Sequence, residues 1–444
     1  ENVALGDTAL DSVQSGGTNN TVIGSKAGTA ITTGDFNTAV GLCSQHSVTT
    51  AGSNVSIGAN SLRDNVTGTA NTALGHASLL VNTASNNTAA GWLSLSANTS
   101  GANNTALGAT ALDANTTASN NTAVGYSALG ANTTGAQNTA VGQGALQINT
   151  EGANNVAVGG TALKCNTTGG GNVAVGKDAL FTNTTGASNV AVGANALDSN
   201  TEGNNNIGVG ASAGQAITTG SSNTAVGQNS LQATTTASNN TAIGLNSLYT
   251  NVTGAGNTGV GTSSLVLNTA SNNTAVGFES LCKNSSGTSN TAVGKGSLKA
   301  TLTTSENTGV GAGALNGNTG SCNTGVGSSA LENVTGDSNT AVGRRALYLN
   351  TSGTLNTAVG ICSSHAMTSG QQNISMGGSS LVANTTGSRN SALGQSSLSS
   401  NISGADNVAV GHGALSANTA SENTAVGRAS LQTNQTGTAN VAVG

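Results

Sequence analysis

The chain has 444 residues, with no proline, 2% aromatic residues, 6% charged residues and a formal net charge of −5. Ordinary globular domains carry about a quarter charged residues, and disordered chains are usually rich in charge and proline, so neither class fits. The small net charge supplies no basic stripe for nucleic acid and no polybasic patch for a membrane surface. No run approaches the roughly 18 apolar residues that span a bilayer, and we expect no membrane insertion in this segment.

A repeated pattern dominates the sequence. The five residues Asn-[Thr/Val/Ile]-small-aliphatic-Gly begin 27 times between Asn2 and Asn440. Of the 26 intervals, 20 are 17 residues long, five are 16 and one is 18. A fixed period of this kind is typical of solenoids. Since no linker or change of composition interrupts it, we predict one continuous array over residues 1–444 with no capping segments.

The first half of the repeat predicts a strand. Counting the first Asn as position zero, positions one and three are β-branched or aliphatic almost everywhere, and position two is small in every copy except Val22. A period of two indicates a strand, and the invariant glycine at position four allows a sharp turn. The sequence therefore predicts an all-β fold, a parallel β-solenoid (β-roll) of about 26 coils. The residues taken to represent its ladder are Asn138, Thr139, Val141, Gly142, Leu146, Asn155, Val156, Val158, Gly159 and Leu163.

The second half of the repeat is less strand-like. Leucine fills position eight in 22 of the 26 complete copies, and the exceptions are Gly28, Gln45, Gly214 and Ser364. In each exceptional copy the residue three positions later, usually Asn, is apolar: Ile31, Val48, Ile217 and Met367. Residues at i and i+3 share a face in a helical or 3₁₀ turn but not in a strand. We therefore predict a tight turn with one apolar side chain in the core of each coil; a bent strand pair is the alternative.

The direction of the strand side chains has two interpretations. A solvent-facing strand position tolerates Lys, Glu, Gln and Thr, but position two never carries any of these residues. We favour packing of this small-residue face against another chain, for example in a parallel trimer. The alternative reverses the faces, with alanine inside a very narrow coil and threonine and valine outside as a flat array.

The strand and its glycine corner resemble a known repeat. The sequence Asn155-Val156-Ala157-Val158-Gly159 is similar to the head repeats of trimeric autotransporter adhesins of the YadA-like type, and the array also resembles repeat regions of phage tail-fibre and bacterial surface proteins. In the adhesins the resemblance implies a trimeric, left-handed parallel β-roll with its aliphatic strand positions turned inward. The repeat here is longer, by an added Leu-x-x-Asn-Thr-Thr segment.

Candidates for chemistry are few. Cys43 and His46 occupy the same repeat positions as Cys362 and His365, and these pairs are weak candidates for half of a metal site. We interpret them as one variant coil copied by duplication. The cysteines lie too far apart along the array for intrachain disulfides. We expect no cofactor and no enzymatic activity, and we interpret Trp92 as a gap filler or a surface residue rather than a ligand site.

Two functions follow as hypotheses. The first is a structural or adhesive extracellular fibre, at a cell surface or on a virion, that self-associates as a trimer or as an end-to-end or lateral filament. Its further partners would be a host-cell, matrix or glycan surface. The second is an ice-binding or other surface-binding solenoid that presents a flat Thr/Val ladder. The two hypotheses differ in whether the side chains at position one point into the coil or out to solvent.

Overall fold

The computed structural model describes residues 1–444 as an all-β chain of 27 three-residue strands with no helix. The strands are β1 Val3–Leu5, β2 Thr21–Ile23, β3 Thr38–Val40, β4 Val55–Ile57, β5 Thr72–Leu74, β6 Thr88–Ala90, β7 Thr105–Leu107, β8 Thr122–Val124, β9 Thr139–Val141, β10 Val156–Val158, β11 Val173–Val175, β12 Val190–Val192, β13 Ile207–Val209, β14 Thr224–Val226, β15 Thr241–Ile243, β16 Thr258–Val260, β17 Thr274–Val276, β18 Thr291–Val293, β19 Thr308–Val310, β20 Thr324–Val326, β21 Thr340–Val342, β22 Thr357–Val359, β23 Ile374–Met376, β24 Ser391–Leu393, β25 Val408–Val410, β26 Thr424–Val426 and β27 Val441–Val443. One strand lies in each copy of the repeat, so the predicted parallel β-solenoid is confirmed. It has no helix of a length and hydrophobicity suited to crossing a membrane.

The chain divides into two compact units, Glu1–Asn223 and Thr224–Gly444. Within each unit, successive strands pair in parallel and without register shifts, so that Val156 lies beside Val173 and Val158 beside Val175. The backbone bonds run between coils: the N–H of Thr139 donates to the carbonyl of Asn155 at 2.8 Å. In-register pairing follows from the repeat, because each coil presents the same donors and acceptors at the same height.

The half of the repeat after the strand is a pair of tight turns. The N–H of Ala145 donates to the carbonyl of Gly142 at 3.3 Å, and the N–H of Asn149 donates to that of Leu146 at 3.2 Å. Both bonds span three residues, which brings positions eight and eleven to one side of the chain. The predicted turn is confirmed. The bent strand pair is wrong, because no second strand forms in any coil.

The leucine at position eight has an unusual backbone conformation. Leu146 has a φ of +51°, and the same left-handed conformation recurs at the other leucines of this position. Such a conformation costs roughly 1–2 kcal/mol for a non-glycine residue. Full burial of a leucine side chain contributes about 1.5–3 kcal/mol, which offsets that cost. Gly28 and Gly214, at φ +56° and +62°, occupy this position without the strain.

The core of each coil lies between the strand and the turn. It is formed by position two, by alanine or serine at position seven and by leucine at position eight, as in Ala157, Ala162 and Leu163, all fully buried. The favoured interpretation of position two as a contact with another chain is therefore wrong. Position two is small because the coil is narrow: a Cβ added to Gly208 would lie 2.8 Å from Cγ of Leu197.

The four coils without leucine fill the same space in another way. The apolar residues at position eleven, Ile31, Val48, Ile217 and Met367, are all fully buried, as the sequence predicted. In the coil that contains Ile31, the valine at position two, Val22, also fills part of this space. A Cβ on Gly28 would lie 3.0 Å from Cδ1 of Ile31 and 3.2 Å from Cγ2 of Val22, so these two side chains occupy the volume that leucine leaves.

Most coils contain two buried asparagines, one at position zero and one at position eleven. At position zero, Oδ1 of Asn138 accepts the backbone N–H of Asn155 at 2.9 Å, and its Nδ2 donates to the carbonyl of Gly152 at 2.8 Å. At position eleven, Nδ2 of Asn149 donates to that same carbonyl at 2.9 Å and to Oδ1 of Asn132 at 2.8 Å. Stacked amides of this kind satisfy buried backbone groups and bind adjacent coils together.

The asparagine row gives a stability prediction. Oδ1 of Asn290 accepts the N–H of Asn307 at 3.0 Å, and its Nδ2 donates to the carbonyl of Thr304 at 2.8 Å. We expect Asn290→Ala to lower the free energy of unfolding by about 2–5 kcal/mol, because the buried N–H of Asn307 and the half-buried carbonyl of Thr304 lose their partner. Chemical denaturation followed by circular dichroism measures the change. Asn316→Ala, at a half-buried turn position, is the control and should have little effect; equal losses in both variants would contradict the prediction.

Candidate functional site

The outer face of the strands carries the side chains of positions one and three. Because side chains alternate along a strand, burial of position two places its neighbours outside. In β18, Thr291 is half-buried and Val293 is 37% exposed, whereas Ala292 between them is fully buried. This outward direction matches the alternative that the sequence left open. It is opposite to the inward aliphatic positions that the resemblance to the adhesin repeats implied.

The most regular part of this surface lies in the second compact unit. Nine consecutive strands, β14 to β22, carry threonine at position one, and position three is valine in all of them except β15, which has Ile243. We call this surface the threonine–valine face. In-register pairing sets Thr274 beside Thr291 and Val276 beside Val293. The strand geometry gives a repeat of about 4.8 Å across strands and about 6.7 Å between the two rows.

The hydroxyl groups of this face make no hydrogen bond to the protein. None of its nine threonine side chains donates to or accepts from another atom of the chain, and none is a buried unsatisfied group. The threonines at position twelve differ: Oγ1 of Thr133 donates to the carbonyl of Thr150 at 3.0 Å, and Oγ1 of Thr167 donates to that of Thr184 at 3.1 Å. Position-twelve hydroxyls support the backbone, whereas those of the threonine–valine face remain available to solvent or a ligand.

The threonine–valine face carries no charge. No Asp, Glu, Lys or Arg occupies position one or three in any of the 27 strands, and the charged residues lie at the turns, as with Lys295 and Glu306. Its hydroxyl groups each offer one hydrogen-bond donor and two acceptor lone pairs, and its methyl groups offer none. It can bind water or hydroxyl-bearing partners at regularly spaced points.

The structure adds no metal ligand to the two Cys/His pairs. Cys43 and Cys362 are half-buried free thiols. His365 stacks on Tyr348, with ring centroids 5.1 Å apart, and no group of three His, Cys, Asp or Glu side chains able to hold a metal ion is present. The metal candidates at Cys43, His46, Cys362 and His365 stay untested hypotheses without a third ligand. Cys165, Cys282 and Cys322 are also free thiols in the structure.

Both Cys/His coils share a buried contact that the sequence analysis missed. In the coil after each pair, position two is serine instead of alanine or glycine. Ser44 hydrogen-bonds to Ser56 in the first case, and Oγ of Ser363 donates to Oγ of Ser375 at 2.6 Å in the second. The contact joins position seven of one coil to position two of the next. The signal was visible in the sequence, because Ser56 and Ser375 are the only serines at position two.

A polar depression of about 400 Å³ lies on the turns of the first compact unit, lined by Asp113, Ser127, Gly130, Ala131, Gln147 and Ile148. Burial raises the pKa of the Asp113 carboxyl, and hydrogen bonds from the backbone N–H groups of Asp113 and Ala114 oppose the rise. Gly130 lacks a side chain where other coils have one, which leaves space beside the carboxylate: a Cβ on Gly130 would lie 3.5 Å from Oδ1 of Asp113. The depression can receive a small polar group.

The comparisons with known proteins leave the family open. No protein-family model matches the chain, and a search of curated proteins finds no matching relative.

The shifted carboxyl gives a pH-dependent prediction. Asp113 has a raised pKa in the folded protein, so its charged form destabilises the fold at neutral pH and this penalty disappears as pH falls below the unfolded pKa near 3.9. We expect Asp113→Asn to raise the free energy of unfolding at pH 7 and to have less effect near pH 4. Chemical denaturation at several pH values measures this difference.

The control for this prediction is Asp64, whose pKa is shifted in the opposite direction. The hydrogen bond from Arg63 lowers the pKa of Asp64, so its charged form stabilises the fold above the unfolded pKa and that contribution is lost as pH falls through the folded pKa. Asp64→Asn should therefore lower stability at pH 7. Destabilisation by both variants at pH 7 would contradict the assignment for Asp113.

Proposed function

We propose that the protein binds an extended, ordered surface through the threonine–valine face, and that this surface is ice. The observation that carries the proposal is the row of nine threonine hydroxyls, from Thr224 to Thr357, that have no partner in the protein and repeat with the coils. The adjoining row supplies methyl groups at the same repeat. A periodic surface recognises a periodic partner, because every coil can make the same contact.

Rigidity supports this proposal. Each coil is bound to its neighbours by strand hydrogen bonds, such as the 2.8 Å bond from Thr291 to Asn307, and by the asparagine rows. A preformed array loses little conformational entropy on binding, so many weak contacts can add up. The methyl groups and the hydroxyls together can hold water molecules at repeated positions, which is what contact with an ice lattice requires.

The structural or adhesive fibre is the second proposal. It is supported by the uninterrupted repeat and by coils that are hydrogen-bonded to one another throughout each compact unit. Its trimeric form has less support than the sequence suggested, because the small residues at position two lie inside the coil. Both proposals imply an extracellular location, where ice or a host surface would be met.

The ice-binding proposal is tested by a bulky substitution on the threonine–valine face. Thr291 lies in the middle of the nine strands and is half-buried. We expect Thr291→Tyr to remove most of the thermal-hysteresis and ice-recrystallisation-inhibition activity, because the ring would hold the neighbouring coils away from a flat lattice. Circular dichroism should be unchanged.

The matched control is Thr303→Tyr. Thr303 belongs to the same coil but lies exposed at a turn, away from the strand face. This variant should retain activity. The proposal is wrong if the unmodified protein shows no thermal hysteresis and does not enter growing ice. In that case assembly, followed by electron microscopy and light scattering, tests the fibre proposal.

A further inference from the structure

The aromatic residues of this chain have no place in its core. The sequence contains only seven Phe, Trp and Tyr residues, and none of them is buried. Trp92 is 55% exposed and Tyr126 is 60% exposed. The structure thus shows Trp92 to be a surface residue rather than a gap filler. Large exposed rings that contribute nothing to packing are typical of contact surfaces.

Trp92 and Tyr126 occupy the same position of the repeat. Each follows the corner glycine, at position five, and one coil lies between them, with Ala109 at the corresponding position. Backbone bonds fix their alignment: the N–H of Thr110 donates to the carbonyl of Trp92 at 2.9 Å, and the N–H of Ser127 donates to that of Ala109 at 3.1 Å. At the coil spacing of a parallel sheet the backbones of these two residues are about 9.6 Å apart along the stack.

Polar groups lie next to Tyr126 and in the coil between the two rings. Thr110 and Ser127 occupy position six of adjacent coils, and their hydroxyl oxygens are 2.8 Å apart. Ser127 also lines the polar depression that contains Asp113 and Gln147. Apolar rings combined with a few hydroxyl, amide and carboxylate groups form the composition of a binding site for a ligand with both apolar and polar surfaces.

We propose that Trp92 and Tyr126 form a platform for a linear β-1,4-linked polysaccharide that runs along the stack of coils. A pyranose ring in such a chain has a face of C–H bonds that stacks on an aromatic ring and an edge of equatorial hydroxyls that forms hydrogen bonds. The chain is flat and has a twofold screw, so the same ring face recurs at every second sugar. That repeat of two sugars is close to the height of two coils. Ala109, between the rings, leaves room for the sugar that faces the other way.

The platform does not depend on ice binding. It lies in the first compact unit, at the corner after the strand, whereas the threonine–valine face lies on strands β14 to β22 of the second unit. The two proposals can therefore fail separately. Tyr126→Ala should leave thermal hysteresis unchanged, and Thr291→Tyr should leave sugar binding unchanged.

Trp92 is the only tryptophan in the chain, so its fluorescence reports directly on the platform. The experiment titrates the full chain with cellohexaose and, separately, with chitohexaose; maltohexaose is the control for stereochemistry, because its α-linked chain is coiled. We expect saturable changes in emission with at least one of the β-linked sugars and a weaker response to maltohexaose. No response to either β-linked sugar, or an equal response to maltohexaose, would overturn the proposal.

Three variants test the residues and their spacing. Tyr126→Ala should weaken binding about tenfold or more, the effect expected when an anchoring aromatic ring is lost. Phe36→Ala, which removes a ring that is 62% exposed at another position of the repeat, should bind normally. The double variant Ala109→Tyr with Tyr126→Ala places the second ring on the adjacent coil and should not restore binding. Normal affinity in Tyr126→Ala, or restored affinity in the double variant, would contradict the platform.

Discussion

The narrowness of each coil is the constraint on which the rest of the structure depends. The strand and the turn are so close that the interior holds an alanine from the strand, a small residue and one leucine from the turn, as in Ala157, Ala162 and Leu163. An interior of this size holds a larger strand residue only where the turn gives up its leucine, as at Val22, which lies opposite Gly28. The β-branched side chains at positions one and three are consequently outside, and the surface they form is a result of core packing.

Narrow coils also determine how polar groups are satisfied. In most coils two buried asparagines share a carbonyl, as Asn138 and Asn149 share that of Gly152. Buried amides normally weaken a core unless every donor and acceptor has a partner. Here the partners come from the coil above, the coil below and the coil itself, and among the buried amides only Oε1 of Gln45 and Oδ1 of Asn401 lack one. The repetition that makes the sequence simple is therefore what makes its polar interior stable.

Much of the fold followed from the sequence. The alternation of large and small residues defined the strand, the invariant glycine defined the corner, and the i+3 replacements at Ile31, Val48, Ile217 and Met367 correctly predicted the turn and its core. Which face of the strand is buried did not follow from the sequence, because a period of two distinguishes two faces without showing which one points inward. The left-handed backbone of leucines such as Leu146 was also hidden, since leucine rarely adopts it and only Gly28 and Gly214 hinted at it.

The candidate site was predictable only as an alternative. The threonines of position one and position twelve look alike in sequence, yet one row faces solvent and the other donates to the backbone, as Thr133 does to Thr150. That difference depends on the path of the chain. The pairing of Trp92 and Tyr126 was also not visible in the sequence, because the distance between these residues is known only once the coils are known to stack in register.

The contact between position seven of one coil and position two of the next has a consequence for how such a chain can evolve. Ser44 contacts Ser56, and Ser363 contacts Ser375, so each Cys/His coil is followed by a coil with serine at position two. The pair is not obligatory, because a serine at position seven can donate to the corner carbonyl of its own coil. Oγ of Ser78 donates in this way to Gly75 at 3.1 Å, and position two of the following coil is alanine, Ala89. The unit that can be copied without an unpaired hydroxyl is thus the single coil, and the gene should tolerate insertions and deletions of whole coils.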